Sequence, residues 1–482
     1  MRKEIEQLEH QSRELEPDSE NREFLERKVT AYSEHFYKNL HTGKTYSPEY
    51  QTASEILESD IPEHPENPED LLDELGAKVD HPGINTASGG HLGYIPGGGL
   101  YSSALGDFLA AVTNRYAGVH YTSPGAVNME RRLIRWMADM VGYPDSAGGY
   151  LASGGSIANL TAIITAREAR GLKAAQFSKS VVYVTEQTHH CIDRALRIAG
   201  MGEAIQRQLP VDENFRMKTD QLEQAIQQDL QAGRVPWLIV GSAGTTDTGA
   251  VDPLKKQGEI AARHGLWFHV DAAYGGFFML TGEVDSLFAG IELSDSVVLD
   301  PHKGLFLPYG IGAVIVKQEK LMAAAYSYEA SYMQDIQDQQ TVLSPADTSP
   351  ELSKHFRGLR MWLPLKLHGV SAFRSALKEK LRLAQHAHQR LTEMPGFETG
   401  TEPDLSVVLF RFHPQGADPD ACTKKLHQLM LDDGQIYLSS TRIDGKYMLR
   451  LAVLSVRTHL STIDLALELL QKYAREVTKS SA

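Results

Sequence analysis

The chain has 482 residues, 42% hydrophobic and 23% charged, which is long enough for a large buried core and two or three domains. Its 48 Lys and Arg against 62 Asp and Glu give a formal net charge of −14, which argues against a nucleic-acid binder or a protein that docks on anionic membranes. Two cysteines, Cys191 and Cys422, make no disulfide framework and no CxxC pair for structural zinc.

The opening MRKEIEQLEHQSRELE is polar and lacks the apolar core of a secretory signal, and no uncharged apolar stretch is long enough to span a bilayer. The expectation is a cytoplasmic protein. Residues 1–75 set Leu8, Leu15, Leu25 and Val29 among charged residues, as helices with narrow apolar stripes do. Such an arm can lie on another subunit. From His81 the composition changes to HPGINTASGGHLGYIPGGG, a glycine-rich loop.

Between about 105 and 320, short apolar runs alternate with helical patterns. The predicted strands are Gly149–Ala152, Val181–Thr185, Leu238–Gly241, Trp267–Val270, Val297–Leu299 and Ala313–Val316. Most are apolar throughout, as strands covered on both faces are. Ser156–Arg170 carries Ile157, Leu160, Ile163 and Ile164 on one side of a helix. This alternation predicts an α/β domain with a mostly parallel sheet. Residues 325–355 show neither period, and such a stretch inside a compact domain is expected to be a functional lid or disordered. A helical run is expected from Leu352. A smaller α+β unit follows, with strands near Val407–Phe412 and Tyr447–Val453 and a last helix near Ser461–Val477.

Four clusters stand at or near predicted strand ends, where ligands gather in open α/β sheets. Ser153-Gly154-Gly155-Ser156-Ile157-Ala158-Asn159 opens a helix with small residues, as a phosphate site or a plain turn does. Thr188-His189-His190-Cys191 places two imidazoles side by side, but neighbours diverge on a strand or a helix, so they do not readily chelate one ion. No spaced ligand set supports a metal; a His for stacking or proton handling fits better, and a core His stays open. In Phe268-His269-Val270-Asp271-Ala272-Ala273-Tyr274-Gly275-Gly276 an Asp ends an apolar strand and needs a cationic or N–H partner, either an Arg or helix terminus or a protonated heterocycle. In Asp300-Pro301-His302-Lys303-Gly304 a Lys follows an apolar strand. Desolvation there is expected to lower its pKa and favour the neutral amine that makes Schiff bases; a buried salt bridge is the alternative. A phosphate loop, a stacking His, an Asp for a ring nitrogen and a Schiff-base Lys, in this order, are the parts that hold pyridoxal phosphate.

On these residues the sequence resembles the pyridoxal-phosphate-dependent group II amino-acid decarboxylases, which include the aromatic-L-amino-acid, histidine and glutamate decarboxylases. The likeness runs from about His81 to Arg457 and is most specific in HVDAAYGG and DPHKG, with Asp271 and Lys303 thirty-two positions apart. The resemblance implies a fold type I enzyme of the aspartate-aminotransferase type. Its parts would be an N-terminal helical arm with the Gly-rich segment (1–100), a large domain with a mostly parallel seven-stranded sheet (101–360) and a small C-terminal α+β domain (361–482). It implies a homodimer with active sites at the interface. It further implies that Lys303 forms an aldimine with pyridoxal 5'-phosphate, that Asp271 pairs with the ring nitrogen, and that His189 and Ala273 flank the ring. Gly155 and Ser156 would cradle the phosphate, with Thr246 and His302 beside the cofactor, and Tyr332 would be the acid that protonates Cα. Asp300 stands where some members have Asn near the phosphate, and as a carboxylate it is left out of that set.

The implied reaction is decarboxylation of an L-amino acid, an aromatic one first, to the amine and CO2. An oxidative aldehyde synthase of the same family, or a decarboxylase of an acidic or diamino acid, is the alternative. The segment Tyr116–Pro124 has Gly118 where a large aromatic is common in the aromatic-substrate enzymes, and Gly97 replaces a hydroxyl residue. Arg450 is a candidate for a carboxylate partner or for a brace of the small domain.

Overall fold

The computed structural model describes residues 1–327 and 342–481. Two helices, Arg2–Ser12 and Ser19–Asn39, open the chain, and neither buries a residue against the rest of it. The short strands β1 (Tyr46–Ser47) and β2 (Gly83–Ile84) then pair antiparallel.

The centre is a seven-stranded sheet built from β3 (Gly148–Ala152), β4 (Ser180–Thr185), β5 (Ile205–Leu209), β6 (Val235–Ser242), β7 (Trp267–Asp271), β8 (Ser296–Leu299) and β9 (Gly312–Val316), in the spatial order β3-β9-β8-β7-β6-β4-β5. Only β9 runs against the others, being antiparallel to both β3 and β8. Six strands therefore end at one edge. Strand residues alternate between two apolar layers. Phe268 and Val270 join one with Leu133, Met137 and Leu254, from the helices Pro124–Val141 and Leu254–His264. Trp267 and Val298 join the other with Ala158, Ile163 and Ile192, from the helices Gly155–Ala169 and Cys191–Ile198. A sheet covered on both faces has no solvated side, which is why these strands read as apolar runs.

All six predicted strands are present, within a few residues of the expected limits. The seventh, β5, is not legible as an apolar run: it lies at the sheet edge and its residues Gln206, Arg207 and Gln208 keep access to water. The second sheet contains β10 (Phe397–Thr399), β11 (Val407–Phe412), β12 (Ser439–Ile443) and β13 (Lys446–Ala452), antiparallel in the order β10-β11-β13-β12. Its apolar face packs on Leu426 and Met430 of the helix Pro419–Asp433 and on Ile463 and Leu470 of the helix Leu460–Ser481. Two of its strands, β10 and β12, are short and half exposed, and the apolar pattern did not mark them.

A helix over Gly358–Glu393 leads from one sheet to the other and breaks at Gly369, whose backbone (φ 69°, ψ 156°) is non-helical. The expected start at Leu352 is corrected to Gly358, because the preceding residues are spent on buried charge. Lys354 Nζ lies 2.5 Å from Glu130 Oε2, both side chains almost without exposure, and Glu130 Oε1 accepts the Gly358 amide at 3.0 Å. Of the segment 325–355, the helix Glu319–Tyr326 covers the start and a single turn Pro345–Asp347 lies near the end.

The Lys354–Glu130 pair gives a stability prediction. Lys354→Met leaves a buried carboxylate without its cation, a loss of about 3–5 kcal/mol. The variant should unfold at a lower temperature in calorimetry, and adding Glu130→Gln should recover most of the loss. Equal midpoints for the single variant and the wild type would contradict the pairing.

Candidate active site

The C-terminal ends of β3, β4, β6, β7 and β8 open into one cavity of about 340 Å³. Each of the four clusters meets there. Gly155 and Ser156 follow β3, His189 follows β4, Thr246 follows β6, Asp271 and Ala273 close β7, and His302 and Lys303 follow β8. Of the sequence-predicted site residues only Tyr332 is not placed, since it lies outside the described residues.

The helix Gly155–Ala169 begins at the cavity wall, and the first intrahelical acceptor is Gly154, which takes the Ala158 amide. The amides of Gly155, Ser156 and Ile157 thus have no carbonyl from a preceding turn, and the helix dipole adds to their attraction for an anion. A Cβ on Gly155 would stand 2.7 Å from Asp300 Oδ2, so no larger residue fits between that carboxylate and the helix start.

Asp300 is buried. Its Oδ2 lies 3.2 Å from Lys303 Nζ and 3.6 Å from His302 Nε2, while Oδ1 has no hydrogen-bond partner among the described residues. Burial pushes the Lys303 ammonium down, but the carboxylates of Asp300 and Asp271 outweigh it and hold the group above the ordinary lysine value. This corrects the expectation of a lysine neutralised by desolvation: the carboxylate one helical turn earlier decides the sign. Burial lowers His302 more than Asp300 raises it. The neutral ring therefore keeps its Nδ1 proton, donated to the Ile311 carbonyl, and turns Nε2 toward Asp300.

Asp271 receives the Ala273 amide on Oδ1 at 3.1 Å and Asn159 Nδ2 on Oδ2 at 3.2 Å, with Cys191 Sγ 3.9 Å from Oδ2. His189 accepts the Cys191 amide on Nδ1 at 3.3 Å, and burial lowers its pKa, so a flat neutral imidazole faces the cavity. Gln187, nine-tenths buried, also lines the cavity, and its Oε1 is without a partner among the described residues. Sequence reasoning gave no role to Asn159 or Gln187; the signal for Asn159 is a polar side chain one helical turn after the glycines, within an apolar helix.

Arg450 on β13 donates to the carbonyls of Thr246, Asp247 (3.1 Å) and Tyr94 (3.4 Å) and to Ser439 Oγ (3.0 Å). These four bonds make it a brace between the small sheet, the Thr246 loop and the glycine-rich segment. A Cβ on Gly97 would fall 1.9 Å from the His302 carbonyl oxygen, and one on Gly118 would fall 2.2 Å from the Leu352 carbonyl oxygen. Backbone contact, not pocket shape alone, forbids a side chain at both. Among the described residues no group of three or more His, Cys, Asp or Glu could hold a metal ion, and no described helix is long and apolar enough to cross a membrane.

A family model described as the pyridoxal-dependent decarboxylase conserved domain matches residues 48–413. The aromatic-L-amino-acid decarboxylase of Bacillus atrophaeus is 33% identical over 83% of this chain and 84% of its own length. Tyrosine decarboxylase 2 of Arabidopsis thaliana is 31% identical over 92% of this chain and 85% of its own. The crystal structure of Catharanthus roseus tryptophan decarboxylase in complex with L-tryptophan superposes with a TM-score of 0.88 at 26% identity, covering 95% of this chain and 99% of the other.

The Asp300–Lys303 contact gives the prediction for this site. In the cofactor-free protein, Asp300→Asn should lower the pH at which Lys303 reacts with an amine reagent, read by mass spectrometry of the labelled peptide. An unchanged or higher pH midpoint would show that Asp300 does not set the charge of Lys303.

Proposed function

The chain belongs to the pyridoxal-dependent decarboxylases, and from that premise we propose that it converts an aromatic L-amino acid to its amine and CO2. The observation that carries the reading is a single cavity bounded by a lysine paired with a carboxylate (Lys303 with Asp300), a second carboxylate with donors on both oxygens (Asp271) and a helix start open to an anion (Gly155–Ile157).

These residues fit pyridoxal phosphate. The free amides of the Gly155 turn suit its phosphate, the Asp271 carboxylate suits a protonated ring nitrogen, and the flat His189 and small Ala273 suit the faces of its ring. Lys303 would hold it covalently through Nζ, with Thr246 and His302 beside it. When bound, this group supplies an aldehyde for the substrate amine and a ring that takes up the electron pair left behind by CO2.

The protein's own tasks are proton placement and orientation. Lys303 Nζ must shed a proton before it can bond to carbon, and Asp300 Oδ2 at 3.2 Å is placed to receive it. The negative charge of Asp271 opposes loss of a proton from a ring nitrogen beside it. A proton must then return to the substrate Cα, and the reading assigns that step to the hydroxyl of Tyr332. We further propose a cytoplasmic homodimer with active sites at the subunit interface. The exposed apolar residues of the first two helices, Leu8, Leu25 and Val29, support it, as do Phe108, Leu109 and Val112 on the helix Tyr101–Thr113. Two free, buried thiols fit a reducing compartment.

The test is product analysis under air with tryptophan, tyrosine, phenylalanine, glutamate and 2,4-diaminobutyrate. Wild type should release CO2 and an arylalkylamine in equal amounts. Stoichiometric aldehyde, ammonia and peroxide would overturn the decarboxylase reading, and turnover of glutamate or the diamino acid alone would overturn the substrate class. Tyr332→Phe should slow amine formation by about 10²–10⁴ and shift product toward aldehyde.

A further inference from the structure

Behind Asp271 lies a hydrogen-bonded file of four buried side chains. Strand alternation puts Trp267, His269 and Asp271 on one face of β7, toward the helix that carries Asn159. The register of β7 with β8 sets Ser296 opposite His269. Trp267 Nε1 lies 2.9 Å from Ser296 Oγ, which lies 2.8 Å from His269 Nδ1. His269 Nε2 lies 2.7 Å from Asn159 Oδ1, and Asn159 Nδ2 lies 3.2 Å from Asp271 Oδ2.

The two ends fix every proton between them. An indole N–H can only donate and an ionised carboxylate can only accept. Asn159 must therefore turn its NH2 to Asp271 and its carbonyl to His269. That carbonyl requires a proton on His269 Nε2, which leaves Nδ1 to accept from the Ser296 hydroxyl. Ser296 in turn accepts from Trp267. The file agrees from either end, and burial, which pushes His269 down to about 4, keeps the ring neutral as the file requires. Asn159, His269 and Ser296 have almost no exposure, so no water competes for these bonds. The catalytic reading above takes Asn159 only as one donor on Asp271 and gives no role to His269 or Ser296.

We propose that Asn159 and His269 are positioning residues that aim the Asp271 carboxylate at the cofactor's ring nitrogen, so that the file acts on that nitrogen and on no other part of the cofactor. The proposal rests on the reading of the cavity as a pyridoxal phosphate site.

The experiment uses the full chain, stripped of cofactor, and two ligands: pyridoxal phosphate and its analogue with C–H in place of the ring nitrogen. Binding is read by equilibrium dialysis. Wild type should prefer the natural ligand. Asn159→Ala should lose about tenfold to a hundredfold in affinity for it, the contribution of a hydrogen bond to a charged group. The same variant should keep its affinity for the analogue within about twofold. His269→Leu should lose in the same selective way. His269→Gln, which retains a donor toward Asn159, should regain most of the preference. Ser296→Ala, the mildest truncation, should show a smaller loss of the same kind. With nitrogen-15 in the ring, the bound cofactor's signal should move from the protonated toward the unprotonated range in Asn159→Ala. Equal loss for both ligands, or an unmoved nitrogen signal, would overturn the proposal while leaving the cavity's assignment intact. Failure of the wild type to bind either ligand would overturn the assignment itself.

Discussion

Three charges share one partly buried cavity, and the rest of the site is arranged around keeping them there. The strands beneath Asp271 and Lys303 are buried on both faces, so charge is admissible only where they end. There each charged group is compensated: Lys303 by Asp300, and Asp271 by an amide, a side-chain amide and a thiol. An isolated ion at this depth would be strongly disfavoured. The glycine at 155 follows from the same constraint, since a Cβ would enter the space taken by the Asp300 carboxylate.

The small sheet takes part in this arrangement and is not a separate appendage. Arg450 reaches from β13 to the Thr246 loop, and Arg457 donates to the carbonyls of Ala87, Gly98 and Gly99. Tyr274, just beyond the Asp271 strand, shares a hydroxyl contact of 2.7 Å with Ser406. Movement of the small sheet would therefore pull on the Thr246 loop and on Tyr274, both of which line the cavity.

Much of this was legible in the residues themselves. Apolar runs marked six strands of the large sheet, and a strand buried on both faces leaves that mark because it has no solvated side. The edge strand β5 escaped because IQRQL keeps polar residues where one side is open to water. The clusters around Gly155, His189, Asp271 and Lys303 were found as sequence and meet as neighbours. Burial alone gives the wrong sign for Lys303, because the carboxylates of Asp300, three residues earlier, and Asp271 outweigh it. The file behind Asp271 was half visible, as the period-two set Trp267, His269, Asp271. Its other members come from a helix and a neighbouring strand more than twenty residues distant, and only the folded register brings them into line.

Every role proposed for the cavity depends on Lys303 as the covalent holder of pyridoxal phosphate. Reduction of the cofactor-loaded protein with borohydride, followed by digestion and mass spectrometry, tests that directly. The expected result is a pyridoxyl-phosphate addition on the peptide containing Lys303 and on no other lysine. A loaded protein that yields no adduct after reduction, or yields it on a different lysine, would contradict the account.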